Sequence, residues 1–235
     1  MREALLYVCA AMVVAAGIQV IGAVSPGSRA AGPVTPERLV RVVSSSWRAL
    51  PWLTATFLLV TVVLSILQWP FPGILHALER DPHGAWWRLV TAQFVQSSGL
   101  VQTVINLPAL AVVGAVAELV LGRGRWLLVY LGSGIAANAV SVAGWSPTGA
   151  GTSVFICGLV GALAAVCLLR TAPGWPLPRR LAFAVPLAGI VLCVLANNHG
   201  VGVLTGFVLG ALLAALPRPA GVGLPETDAE PVAAR

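Results

Sequence analysis

Apolar residues in this chain run in long blocks instead of alternating with polar ones, and seven of the blocks approach the length of a bilayer span. A hydrocarbon core of roughly 30 Å takes about 20 apolar residues in a helix. The blocks lie near 4–24, 49–69, 100–121, 126–145, 151–169, 180–196 and 199–217, the last three being short. They predict an all-α fold, a polytopic membrane bundle. The first block exceeds the apolar region of about 7 to 15 residues found in a signal peptide and shows no clear cleavage motif, so it reads as a retained helix. The stop "WPFP", Trp69 to Pro72, ends the second, because proline lacks the helical donor and disfavours helix before it. A long loop is expected after it. The tail 218–235, rich in Pro, Gly, Ala and charge, reads as disordered.

Composition agrees with the block pattern. With 58% hydrophobic and 9% charged residues and a mean hydropathy of +0.90, the chain cannot present the polar surface of a soluble domain. Its net charge of +6 rests on arginine alone, lysine being absent, and the arginines stand between apolar blocks instead of forming one patch. That excludes a nucleic-acid surface. Arg29, Arg38, Arg41, Arg48, Arg123, Arg125, Arg170, Arg179, Arg180 and Arg218 fall in one set of alternate connections, and only Arg2, Arg80 and Arg88 fall in the other. The richer side is expected to be cytoplasmic. The eight tryptophans sit near block ends or in loops, as an interfacial aromatic belt requires. Cys9, Cys157, Cys167 and Cys193 fall inside apolar blocks, with no disulfide framework or metal-ligand spacing, so neither metal nor cofactor is expected.

This topology brings the starts of the fifth and seventh blocks to the outer side, so Ser153 and His199 are expected at similar shallow depth on one membrane face. A serine nucleophile needs a base within hydrogen-bond reach and donors aimed at the oxyanion. His199 is the one intramembrane candidate for the base, and since no Asp lies in any block the arrangement expected is a dyad. "QTVIN" sets Gln102 and Asn106 one turn apart on one face of the third block, two amide donors that would be costly against lipid. In "HGVGVLTGFVLG", Gly202, Gly206 and Gly210 recur every four residues, a ridge without side chains that allows close helix approach. Gly158 and Gly161 follow Ser153 in the fifth block, and approach of these two helices would bring Ser153 to His199.

These residues resemble the motifs of the rhomboid family of intramembrane serine proteases over about 49–217. The serine motif is carried by Gly151, Thr152, Ser153, Val154 and, four residues on, Gly158, and the histidine motif by His199, Gly202 and Gly206. Trp87 and Arg88 resemble the family's Trp-Arg element, and Gly114, Glu118 and Gly122 its Gly-x-x-x-Glu-x-x-x-Gly. The resemblance implies a six-helix core at 49–217, preceded by an extra N-terminal helix and linker at 1–48. It implies a plasma-membrane serine endopeptidase that takes transmembrane protein substrates at a site near the extracytoplasmic face. Ser153 and His199 would be catalytic, with Asn106 and Gln102 at the oxyanion. The chain departs from the family where Gln102 replaces a histidine, Val154 a glycine and Cys157 an aromatic residue. Those departures bear on rate and oxyanion stabilisation more than on fold.

Other readings stand beside this one. Ser153 taken alone is also a helix N-cap or packing serine. Gln102 and Asn106 are also plain interhelical hydrogen-bonders. Glu118 reads as structural, near Arg123 and Arg125, and Arg88 with Trp86 and Trp87 as an anchor of the outer loop in the headgroups. A non-catalytic rhomboid-like protein that binds client transmembrane helices is the alternative function. A small transporter or channel is the third, with little intramembrane charge to serve it.

Overall fold

The computed structural model describes residues 2–24, 34–170 and 176–217; the tail expected to be disordered, 218–235, lies outside them. Eight longer helices order the chain: α1 (Arg2–Val24), α2 (Pro36–Arg48), α3 (Trp52–Leu67), α4 (Gly99–Leu121), α5 (Arg123–Trp145), α6 (Ser153–Arg170), α7 (Pro176–Val194) and α8 (Asn198–Ala214). No strand occurs among the described residues. Seven of these helices occupy the seven apolar blocks. By length and composition, α4, α5 and α6 suffice to cross a membrane, whereas Met12–Val24 and α8 are apolar but shorter. The chain is a multi-pass all-α membrane bundle.

The helix not expected is α2, inside the linker. Its start is nevertheless coded locally. Thr35 is the N-cap, its hydroxyl accepting from Arg38 N at 3.3 Å, Pro36 opens the first turn, and Glu37 and Arg48 stand at the ends that the helix dipole favours. α2 meets α3 at 97°. The expected long loop between α3 and α4 likewise contains a short helix, Gly73–Leu78, and two brief helical turns over Arg88–Phe94.

α6 lies at the centre. It is apolar on all sides, and Phe155, Leu159, Leu163 and Cys167 are fully buried among α1, α5, α7 and α8. Around Tyr130 an aromatic cluster of Phe57, Phe94, Trp126 and Phe155 joins α3 and α5 to it. The ridge read from the sequence is the α6–α8 seam. A Cβ on Gly202 would stand 2.5 Å from the Val154 carbonyl oxygen, one on Gly210 2.5 Å from Ala162 Cα, and one on Gly206 would overlap the Gly158 carbonyl. The facing row on α6 is thus Val154, Gly158 and Ala162, also spaced by four.

Freed backbone groups in these helices find partners, as an apolar surround demands. Pro108 lies in α4, and the next turn, Leu110–Gly114, widens to a π-helix. Carbonyls at this turn accept indole N–H groups, Ala111 from Trp47 at 3.1 Å and Gly114 from Trp126 at 3.0 Å. At the arginine-rich end, Arg170 donates to Ala214 O and Leu216 O, and Arg125 to Leu213 O and Pro217 O. Two cations therefore close the C-terminus of α8, where the helix dipole favours positive charge.

Candidate active site

Ser153 opens α6 and His199 stands in the first turn of α8, both at the end of the bundle remote from most arginines. The seam brings them together: His199 Nε2 lies 2.8 Å from Ser153 Oγ, and both residues are half-buried. This is hydrogen-bond distance for a hydroxyl and an imidazole. The N-cap of α8 is Asn197, with extended backbone at φ −106° and ψ 121°. Its Oδ1 accepts from His199 N at 3.0 Å and lies 2.8 Å from His199 Nδ1. Beside it Asn198 donates from Nδ2 to Ser141 Oγ at 2.8 Å, tying the start of α8 to a second π-turn, Ser141–Trp145, at the end of α5.

The approach to Ser153 is a glycine-dependent, heavily tied loop. Gly149 (φ 130°) and Gly151 (φ 151°) adopt conformations that side-chain-bearing residues rarely reach, and a Cβ on Gly151 would overlap the Gln102 amide. Gly151 N donates to Ala92 O at 2.8 Å. Arg80 holds the loop from the other side. It is 8% exposed, and its guanidinium donates to Ser146 O (3.0 Å), Asn138 Oδ1 (3.3 Å), Ser146 Oγ (3.2 Å) and Thr148 O (3.3 Å). Its backbone N–H donates to Gly149 O at 3.1 Å. Burial pulls the Arg80 pKa below the ordinary arginine value, and neighbouring Glu79 opposes that shift.

Beneath the loop runs a buried amide network. Asn106 Nδ2 donates to Gln96 Oε1 at 2.8 Å, Gln96 Nε2 to Thr152 Oγ1 at 2.9 Å, and Thr152 Oγ1 to Gln93 O at 2.8 Å. Gln68 closes it, exchanging two hydrogen bonds with the Gln96 backbone at 2.9 and 3.0 Å. Asn106 is thereby linked through the Gln96 side chain to Thr152, the residue before Ser153. Gln102 is engaged differently: Nε2 donates to Ala150 O at 3.0 Å and Oε1 accepts from Ser98 N at 2.8 Å. In each amide one N–H is used, and a primary amide nitrogen carries two.

Glu118 lies at the opposite end, where its carboxylate accepts from Leu53 N, Thr54 N and Thr54 Oγ1 at 3.2, 2.8 and 2.9 Å, capping α3, with Arg123 Nε 3.7 Å away. Arg88 stacks over Trp87 and faces Asp81 at 3.6 Å, within the loop before α4. Cys9, Cys157 and Cys193 carry free thiols, and no three His, Cys, Asp or Glu side chains among the described residues group as a metal site requires.

Sequence reasoning passed over Asn197, Gln96 and Gln68, and met Thr152 only as a motif position and Arg80 only in the charge count. For Asn197 a signal existed: Asn before a glycine-spaced apolar run is an N-cap. Gln96 lies in an irregular segment and Gln68 at the C-cap of α3, and neither gave one.

A helical bundle in which a serine and a histidine from two membrane helices meet near one end defines a polytopic membrane protein with a hydrolase-like side-chain pair. A family model of the rhomboid domain matches residues 83–219. The chain is similar to the rhomboid protease GluP of Bacillus subtilis (strain 168), 30% identical over 151 residues. That match covers 62% of this chain and 28% of the relative, so the chain spans well under half of its length. The chain belongs to the rhomboid family.

Proposed function

We propose that the chain is an intramembrane serine protease, and the 2.8 Å approach of His199 Nε2 to Ser153 Oγ carries that reading. Ser153 Oγ attacks the carbonyl carbon of a substrate peptide bond while His199 takes its proton. The tetrahedral oxyanion is held by the Ser153 backbone N–H, the second amide hydrogen of Asn106 and that of Gln102. On collapse the C–N bond breaks and His199 returns the proton to the leaving amine. Water then attacks the acyl-enzyme, His199 again taking a proton, and as the acyl C–Oγ bond breaks His199 returns it to Ser153 Oγ and the acid is released. Water arrives because both residues lie at the bundle's end.

Arginine asymmetry supports a site near the extracytoplasmic face of the plasma membrane, and the rhomboid core is assigned to 49–217, with 1–48 as an added helix and linker. Substrates are transmembrane proteins whose helices unwind readily, rich in Gly, Ala or Pro, because a helical bond hides its carbonyl in the backbone ladder. In proteoliposomes with single-span substrates, the wild-type chain is expected to cleave and Ser153→Ala and His199→Ala to be silent. A fluorophosphonate probe should follow the same pattern. Binding of substrate helices without cleavage or labelling would favour a non-catalytic client-binding protein, the reading to which Val154, Cys157 and Gln102 lean.

A further inference from the structure

We propose that Asn197 is a third, positioning member of the site, which fixes His199 in the tautomer that leaves Nε2 free to accept the Ser153 proton. The inference rests on the protease reading for its consequence but not for its geometry. Asn and Gln amides have two nearly equivalent orientations, and the hydrogen-bond partners decide between them. Here the partner is a backbone N–H, that of His199, which can only donate, so the atom 3.0 Å from it is the amide oxygen. The same oxygen lies 2.8 Å from His199 Nδ1. An amide oxygen only accepts, so Nδ1 carries the hydrogen. A neutral imidazole has one N–H, and Nε2, facing Ser153 Oγ at 2.8 Å, is then the acceptor.

One side chain thus does two jobs through one atom: it caps α8 and sets the base. Asn197 touches no reacting atom. It replaces the carboxylate of a triad with a neutral acceptor, which orients the ring in the same way. Asn198, tied to Ser141, keeps this first turn of α8 against α5.

Asn197→Ser separates the two jobs, because serine caps a helix about as well as asparagine but its shorter side chain does not span to the ring. Asn197→Asp retains both acceptor contacts. With a cleavable single-span substrate in proteoliposomes, Asn197→Ser is expected to lower kcat about 10- to 100-fold, part of the general-base contribution, with KM unchanged. Its thermal midpoint should match the wild type, and Asn197→Asp should restore kcat to within roughly threefold. The independent readout is 15N NMR of histidine-labelled protein in nanodiscs. With three histidines in the chain, His199→Gln assigns the signal. The wild type should show hydrogen on Nδ1 at neutral pH and Asn197→Ser a mixture of tautomers. Hydrogen on Nε2 in the wild type, or an Asn197→Ser variant with wild-type kcat and tautomer, would overturn the assignment. A wild type that cleaves nothing defeats the protease reading instead, and the tautomer still decides the positioning role.

Discussion

Gly206 of α8 rests directly on the backbone of Gly158 of α6, with no side chain between them. The seam they belong to ends at the Ser153–His199 hydrogen bond, so helix separation and site geometry are one variable. Replacing Gly206 by alanine forces the helices apart and should cost about 1–3 kcal/mol, the usual penalty of overpacking. Because Gly206 is two turns from His199, fluorophosphonate labelling should fall as well. Gly210→Ala, against Ala162 at the far end of the seam, is expected to lower the thermal midpoint while labelling of the folded protein persists. Equal labelling of both variants would show that the seam does not set the site.

Glu118 gives a stability prediction free of the chemistry. Its carboxylate satisfies two backbone N–H groups at the start of α3 and the Thr54 hydroxyl. Glu118→Ala leaves these buried donors unpaired and should destabilise by about 1–3 kcal/mol. Glu118→Gln keeps an acceptor and should cost less. Thermal unfolding in detergent checks the order, and kcat of the folded variants should equal that of the wild type.

Much of this architecture was legible because membrane blocks are long and glycine ridges are periodic. The seven apolar blocks found their helices, and Gly202, Gly206 and Gly210 marked the seam. What sequence could not give was the partner row Val154, Gly158 and Ala162 as a row, since valine there serves through its backbone carbonyl. The amide network was equally silent. Gln96 matters because it is fully buried between Asn106 and Thr152, and burial of a residue in an irregular loop follows from tertiary packing alone. Gln102 and Asn106, read as a matched pair from their spacing, differ in the fold: one holds Ala150, the other joins the buried network.

Arg80 tests the loop. Its planar guanidinium places four donor contacts on Ser146, Asn138 and Thr148, a fork that a lysine ammonium cannot reproduce. Arg80→Lys should therefore fail to rescue Arg80→Ala. Both variants are expected to raise hydrogen exchange over residues 146–152 and to slow probe labelling by roughly tenfold, a loss of pre-organisation. A lysine variant with wild-type exchange would mean that charge, not geometry, holds the loop.

The two amides of α4 are separable by the same logic. Asn106→Ala removes a hydrogen proposed to face the oxyanion and should reduce kcat about 10²- to 10³-fold at unchanged KM, the range for loss of one such donor. It also leaves Gln96 Oε1 without its partner, so the assay belongs well below the variant's thermal midpoint. Gln102→Ala releases Ala150 O in the loop before Ser153, and Ser98 N at the start of α4, so its first effect should be faster exchange at 146–152. Its kcat should fall less than that of Asn106→Ala, because Gln102 is only half-buried whereas Asn106 is buried, and an oxyanion donor counts for more where water is excluded. The reverse order of the two kcat losses would move the principal oxyanion donor from Asn106 to Gln102.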